Sequence, residues 1–120
     1  MIENFSLDSH FSGKEPSVRA MYDRLLSSLR KFGKIIEEPK KTSIHLVNVS
    51  AFAGVQTRGT YILLNIKADH KLESPRIHKA EQISAKRFHH RVKISSLSEI
   101  DNELIGWLHE AYALSGNCRP

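Results

Sequence analysis

Cysteine is nearly absent from this sequence of 120 residues, and its single copy, Cys118, stands two residues from the C-terminus. One cysteine excludes an internal disulfide, and we expect an exposed thiol in a frayed tail because chain ends are usually poorly ordered. Long apolar runs are also missing: Ile62 to Leu64 is typical, whereas a membrane helix needs roughly 20 apolar residues. These absences, with an N-terminus that has no basic leader, predict a cytoplasmic protein without a membrane segment.

Signatures of catalysis and of cofactor binding are missing as well. The six glycines are scattered singly, so there is no glycine-rich phosphate loop, and no G-x-S-x-G nucleophile elbow occurs. His89 and His90 are adjacent, so on a strand they point to opposite faces and cannot easily chelate one ion together. A zinc site shared with His45 would still need a third ligand. We therefore predict no catalytic residue, no metal and no cofactor, and we favour a non-enzymatic protein.

Positive charge, in contrast, is concentrated in one stretch. The chain carries 18 Lys and Arg against 13 Asp and Glu, a net charge of +5. The whole surplus lies between Lys67 and Lys93, which holds eight basic residues, three acidic residues and four of the seven histidines. Charge confined in this way can produce a directional field, which bears on partners and not on fold. Of the adjacent histidines His89 and His90, we expect one to be buried and hydrogen-bonded and the other to lie among cations with its charge suppressed.

Two segments have the apolar spacing of helices. Apolar residues recur in steps of three and four from Pro16 to Phe32, and Gly33 follows as a stop signal. The same spacing recurs from about Leu97 to Leu114, where Ser96 and Glu99 match a capping box.

Alternation or β-rich composition predicts strands between the helices. Their ranges are Lys34 to Glu38, closed by Pro39, then Thr42 to Val49, Ala51 to Thr57, Thr60 to Lys67 and Phe88 to Ser95. In the last of them His89, Arg91 and Lys93 alternate with an apolar face. The pattern predicts an α+β fold, in which an antiparallel meander sheet of four to five strands carries an N-terminal and a C-terminal helix on one face.

We expect one domain over residues 1–120, with an N-terminal arm at 1–12 and a tail at 116–120. Residues 68–87 read as a long basic loop with at most a turn of helix, because Ser74 and Pro75 interrupt it. Twenty residues are many for a structureless connection in a compact domain. The segment is therefore either functional or partly ordered.

Several short strings occur together and in a characteristic order. They are Phe11-Ser12-Gly13-Lys14, Lys40-Lys41-Thr42, Phe52-Ala53, Gln56-Thr57-Arg58, Arg87-Phe88-His89-His90-Arg91-Val92, and Asp101 with Ala111-Tyr112. This set resembles the prokaryotic family called domain of unknown function 5655, over about Phe11 to Ser115. The resemblance implies the same α+β layout and supplies no established activity, cofactor or catalytic residue. It favours a binding module.

The segregated charge predicts an anion-binding site on the uncovered face of the sheet. The residues that we expect to form it are Lys40, Lys41, Arg58, Lys86, Arg87, His89, Arg91 and Lys93. They would contact phosphate or carboxylate groups of a nucleic acid or an acidic protein surface, without reading bases. Tyr61 could add a stacking platform. The alternative interpretation is a solvated face that only keeps the protein soluble.

Two further interpretations stay open. The first is a metal-dependent nuclease or other hydrolase. Glu38-Pro39-Lys40 has the E-x-K spacing of some metal-dependent nucleases, although Pro39 is poorly tolerated inside a paired strand and the nearest upstream acid, Asp23, lies on a helix. An assembly domain is the other interpretation, with a homodimer formed through an apolar patch of Val47, Val49, Tyr61 and Leu63.

Overall fold

The structure, a computed structural model, describes residues 6–116. Within this range the chain forms two α-helices, two short 3-10 helices and six strands. The α-helices are α1 (Pro16–Leu29) and α2 (Asn102–Gly116), and the 3-10 helices are Asp8–His10 and Leu97–Glu99. The strands are β1 (Ile36–Pro39), β2 (Ile44–Val47), β3 (Ala51–Thr57), β4 (Ile62–Ala68), β5 (Ile77–Ser84) and β6 (Arg87–Ile94). The expectation for Cys118 lies outside the described residues.

All six strands form one antiparallel sheet in the order β1-β2-β3-β4-β6-β5. The predicted α+β class with two helices and an antiparallel sheet is confirmed. The prediction of four to five strands is wrong, because β5 lies inside the segment at 68–87 that was expected to be a loop. The sheet is also not a simple meander, since β6 pairs with β4 and leaves β5 at the edge.

The missed strand β5 has no buried face. Seven of its eight residues are exposed and the eighth, Ile77, is half-buried. An edge strand that buries neither side lacks the apolar–polar alternation by which strands are recognised in a sequence. Its backbone pairs with β6 along the edge of the sheet.

Alternation gives the sheet two different faces, which we call the core face and the open face. The core face carries buried residues of β2, β3, β4 and β6, and they form one apolar cluster with residues of both helices. Members of the cluster include Leu25, Leu29, Ile44, Leu46, Val55, Ile62, Leu64, Ile66, Val92, Ile94, Leu104 and Leu108. The open face carries the alternate residues, such as His45, Gly54, Asn65 and Arg91, which lie in one row across the sheet.

The connection from β4 to β5 is anchored at two points. Leu72 is buried, and its backbone N–H donates to Nε2 of His90 over 2.9 Å. Arg76 donates to the carboxylates of Asp101 (2.7 Å) and Glu103 (3.2 Å) at the start of α2. The segment is therefore partly ordered, and one of its cations is neutralised by acidic partners.

The part of the N-terminal arm that the structure describes packs at one end of the sheet. His10 is buried, its Nε2 lies 2.7 Å from the carbonyl oxygen of Lys40, and Thr57 donates to its backbone carbonyl. The arm therefore holds the end of β3 and the turn after β1 in place.

Candidate functional site

A cavity of about 250 Å³ opens on the open face of the sheet. Strands β2, β3, β4 and β6, which are neighbours in the sheet, supply most of its walls. Its lining residues are Ser43, His45, Ala51, Ala53, Gly54, Gln56, Leu63, Leu64, Asn65, Lys67, His89 and Arg91. A concave site with a few polar groups on an apolar base is the usual form of a ligand site.

Gly54 forms the floor of this cavity. It lies in β3, where it pairs with His45 on one side and with Asn65 on the other. Its φ is not positive, and a Cβ added there would meet only the Cβ of Asn65, at 4.0 Å. Neither the backbone nor close packing therefore requires glycine. A glycine inside a strand weakens the strand, and it often marks a place where a ligand comes close.

Two unpaired cations face the cavity. Lys67 and Arg91 line it, none of the lining residues is acidic, and neither cation has a carboxylate within 4.0 Å in the part of the chain that the structure describes. Burial, and then the charge of Arg87, lowers the pKa of Lys67. Positive charge held in a half-buried place without a counterion favours binding of an anion.

Burial and nearby cations favour the neutral form of the two histidines that line the cavity. Burial and the nearby cations Lys67 and Arg87 lower the pKa of His89, and its buried Nε2 has no hydrogen-bond partner among residues 6–116. Burial and the charge of Lys40 lower the pKa of His45. His90, on the core face, is fully buried and hydrogen-bonded. The adjacent pair thus has the division expected from the sequence, with one member buried and hydrogen-bonded and the other among cations.

Four of the residues expected from the sequence lie along one strand. Arg87, His89, Arg91 and Lys93 are alternate residues of β6. At about 3.3 Å per residue they form a line of about 20 Å. Lys93 places its Nζ 4.5 Å from the centre of the Tyr61 ring, so this ring is already covered by a cation and is not a free stacking surface.

The other expected residues lie in turns at opposite ends of the sheet. Lys40 and Lys41 follow β1 and Arg58 follows β3, which places them at one end, whereas Lys86 precedes β6 at the other end. Lys40 is paired with Glu38 at 3.5 Å. Arg58 contacts Gln56 of the cavity wall at 3.5 Å. Lys86 and Arg87 line a second cavity of about 200 Å³ together with Lys67, beside the end of α2.

The site predicted from the sequence did not include Lys67, Asn65, Gln56 and Ser43, which line the cavity, although Lys67 begins the basic stretch. The sequence contains only weak indications that these residues belong to a site. Asn65 and Lys67 alternate with the apolar residues of β4, and a polar residue on a central strand marks a wet face. Gly54 within a run of small apolar residues was a second signal.

The acidic residues of the nuclease interpretation form ion pairs. Glu38 pairs with Lys40, and Asp23 pairs with Arg19 at 3.2 Å. No group of three His, Cys, Asp or Glu that could hold a metal ion occurs among the residues that the structure describes. In the expected apolar patch, Val47 is buried and Leu63 lines the cavity, whereas Val49 lies in the turn between β2 and β3.

Comparison with known families gives one match. The model of the family described as "Domain of unknown function (DUF5655)" matches residues 7–115, which is most of the chain. The chain therefore belongs to this family, as the resemblance of its motifs implied. A search of curated proteins and a search of solved structures each found no match. Within residues 6–116, no helix has both the length and the apolarity needed to cross a membrane.

Proposed function

We propose that this chain is a small non-enzymatic binding module that holds phosphate groups of a nucleic acid on the open face of its sheet. The observation that carries the proposal is the composition of the cavity. Gly54, Lys67 and Arg91 line it, and none of its lining residues is acidic. Three neutral polar side chains, Ser43, Gln56 and Asn65, complete the wall and can donate to phosphate oxygens.

The size of the cavity limits what enters it. A volume of about 250 Å³ is below the range of roughly 300 to 1,000 Å³ that is usual for pockets of drug-sized ligands. One phosphate with part of its sugar fits this scale better than a complete nucleotide cofactor. The rest of a polymer would lie along the line of Arg87, His89, Arg91 and Lys93 on β6, where contacts are electrostatic and independent of base sequence.

The proposal also needs the open face to be uncovered. We take both helices to cover the core face only. Residues of α1 and α2 belong to the same apolar cluster as Ile44, Leu64 and Ile94 of the core face, which supports this placement. A sheet with one face packed and one face wet is common in antiparallel folds.

An acidic protein surface is the competing partner. Arg91 can bind either a carboxylate or a phosphate through two parallel N–H groups. The recessed position of Lys67 favours phosphate, because a phosphodiester in a flexible backbone can enter a small cavity more readily than a carboxylate on a folded surface. The proposal therefore commits to nucleic acid, and polyglutamate serves as the test for the alternative.

Fluorescence anisotropy with labelled single-stranded and double-stranded DNA and RNA tests the proposal. We expect binding at about 50 mM salt, with log Kobs falling linearly as log salt rises, because each neutralised phosphate releases counterions. Binding should not depend on base sequence. Absence of binding at low salt, or affinity that salt does not change, would remove nucleic acid as the partner. Binding of polyglutamate at equal or higher affinity would favour the acidic protein.

A further inference from the structure

The two edges of the sheet are built differently. At one edge, β1 has four residues, ends in Pro39 and carries two acids, Glu37 and Glu38. Short length and proline are among the features that protect an edge from pairing with another chain. At the other edge, β5 has eight residues, contains no proline and is exposed along almost its whole length.

The sequence of β5 is complementary to itself when it is read antiparallel. When a second copy is aligned antiparallel about Ala80, Lys79 lies opposite Glu81 of the second copy, and Glu81 lies opposite Lys79 of the second copy. Both pairs lie within the regular part of β5. Opposite charges directly across an antiparallel pair stabilise it, whereas like charges there destabilise it.

Both charged residues are available for this pairing. Lys79 and Glu81 are exposed, and neither forms an ion pair among the residues that the structure describes. The run from Lys79 to Gln82 pairs regularly with β6, and the irregularities lie on either side of it. Ile83 is 49 % exposed, so an apolar side chain also lies at this edge.

We propose that β5 is a homodimer interface, in which two copies of this chain join edge to edge through antiparallel β5 strands centred on Ala80. Lys79 and Glu81 pair with Arg91 and His89 of β6, so they lie on the open face. Residues directly opposite in an antiparallel pair share a face, and the open faces of the two copies would therefore be continuous. The two β6 strands would lie three strand spacings, about 14 Å, apart.

The proposed dimer is a weak one. Pairing of one strand from each copy buries less surface than the roughly 1,200 to 2,000 Å² of a stable standard interface. Sedimentation velocity over a range of protein concentrations should show a mass that rises from that of the 13.7 kDa chain toward twice this value. A mass that stays at 13.7 kDa up to about 0.5 mM, well above the range of most specific complexes, would overturn the proposal.

Charge reversal tests the register. Lys79→Glu or Glu81→Lys alone places like charges opposite each other twice in the dimer, and each should weaken dimerisation about tenfold at low salt. The double variant K79E/E81K restores opposite charges and should restore the dimer. Lys31→Glu and Glu110→Lys, which change exposed residues of other elements by the same charge, are the matched controls and should leave the dimer unchanged.

The charge-reversal variants also define the results that would contradict the proposal. A dimer that neither single reversal weakens would lie on another surface, and the β5 proposal would be wrong. Single reversals that weaken the dimer without rescue by the double variant would overturn the register centred on Ala80. Circular dichroism of every variant should match the parent, because the changed side chains are exposed. The nucleic-acid titration is a separate measurement, so failure of one proposal does not affect the other.

Discussion

The backbone N–H of Leu72 donates a hydrogen bond to Nε2 of His90 over 2.9 Å. A backbone N–H can only donate, so Nε2 must accept and the ring proton must lie on Nδ1. Nδ1 is 3.3 Å from the carbonyl oxygen of Ile66, to which it donates. One neutral imidazole thus ties the connection between β4 and β5 to the sheet, and burial lowers its pKa.

His90→Ala should lower the free energy of unfolding by about 2 to 4 kcal/mol. The change leaves the N–H of Leu72 without its partner and opens a cavity in a fully buried place. Urea denaturation followed by circular dichroism measures the loss. His70→Ala is the matched control because the His70 side chain is 57% exposed, and its effect should stay within about 0.5 kcal/mol. Equal effects of the two changes would contradict the structural role of His90.

Stability should fall as the pH drops below about 6.5, the ordinary pKa of histidine. Burial lowers the pKa values of His45, His89 and His90 in the folded chain. As the pH falls, the unfolded chain therefore takes up protons before the folded chain does. The contribution of the three histidines to stability is complete above the unfolded pKa and is lost as the pH falls through the folded pKa. Urea titrations between about pH 7.5 and pH 5 measure the slope.

The same titrations separate the histidines from the carboxylates. The backbone N–H of Leu104, and then Arg76, lowers the pKa of Asp101 below its ordinary value of 3.8. Its contribution is present above that value and is lost only in stronger acid. In His90→Ala the slope between about pH 7.5 and pH 5 should become shallower, because one group no longer takes up a proton on unfolding. An unchanged slope would show that His90 does not contribute.

Arg76→Met should lower the free energy of unfolding by about 1 to 3 kcal/mol. The Arg76 guanidinium donates to Asp101, to Glu103 and to the backbone carbonyl of Glu99, and its side chain is only 21 % exposed. The methionine keeps the aliphatic stem but removes the charge-assisted hydrogen bonds. Denaturation by urea measures the loss, and Arg24→Met, which changes an exposed residue of α1, is the control. A loss of stability no larger than that of the control would contradict the stabilising role of the Arg76 hydrogen bonds.

The elements with one buried face could be predicted from the sequence, because burial imposes a period on the side chains. Ile62, Leu64 and Ile66 alternate, and β4 is where this pattern placed it. The strand β5 was missed because it buries no face. The predicted meander placed the strand at Phe88 to Ser95 after the strand at Thr60 to Lys67, but the sequence does not state their register, which brings Arg91 opposite Asn65.

The same limit applies to the candidate site. The sequence identified His89 and Arg91, which line the cavity, because they stand on the cationic side of one strand. It grouped them with Lys40 and Lys86, which the structure places at opposite ends of the sheet. Lys67 was missed because its position opposite His89 depends on the register between β4 and β6, which the sequence does not state. Local charge patterns therefore identify a strand, whereas the composition of a cavity depends on the register of neighbouring strands.

Gly54→Val should weaken binding of nucleic acid without loss of stability. Gly54 lines the cavity, and the nearest atom to a Cβ at this position is 4.0 Å away, so a valine should fit there while its methyl groups reduce the space in the cavity. Replacement of glycine in a strand should add about 0.5 to 1 kcal/mol to stability, and β-branched residues favour strands. Anisotropy and thermal unfolding measure the two effects. Gly59→Ala, in the turn after β3 with no atom within 4 Å, should keep the parent affinity. Full affinity of the valine variant would place the ligand elsewhere.

Lys67→Met should weaken binding of nucleic acid and at the same time stabilise the fold. The lowered pKa shows that the folded chain disfavours the charge of Lys67, so an apolar side chain of similar length removes an unfavourable term. Loss of one phosphate contact should reduce the slope of log Kobs against log salt by about 0.7 to 0.9. Arg91→Met should reduce the slope similarly, whereas Lys31→Met, an exposed residue after α1, should leave it unchanged. A gain in stability at the expense of binding is typical of a residue kept for function. If Lys67→Met instead destabilised the chain and left the salt dependence intact, Lys67 would be a structural residue and the cavity would not be the phosphate site.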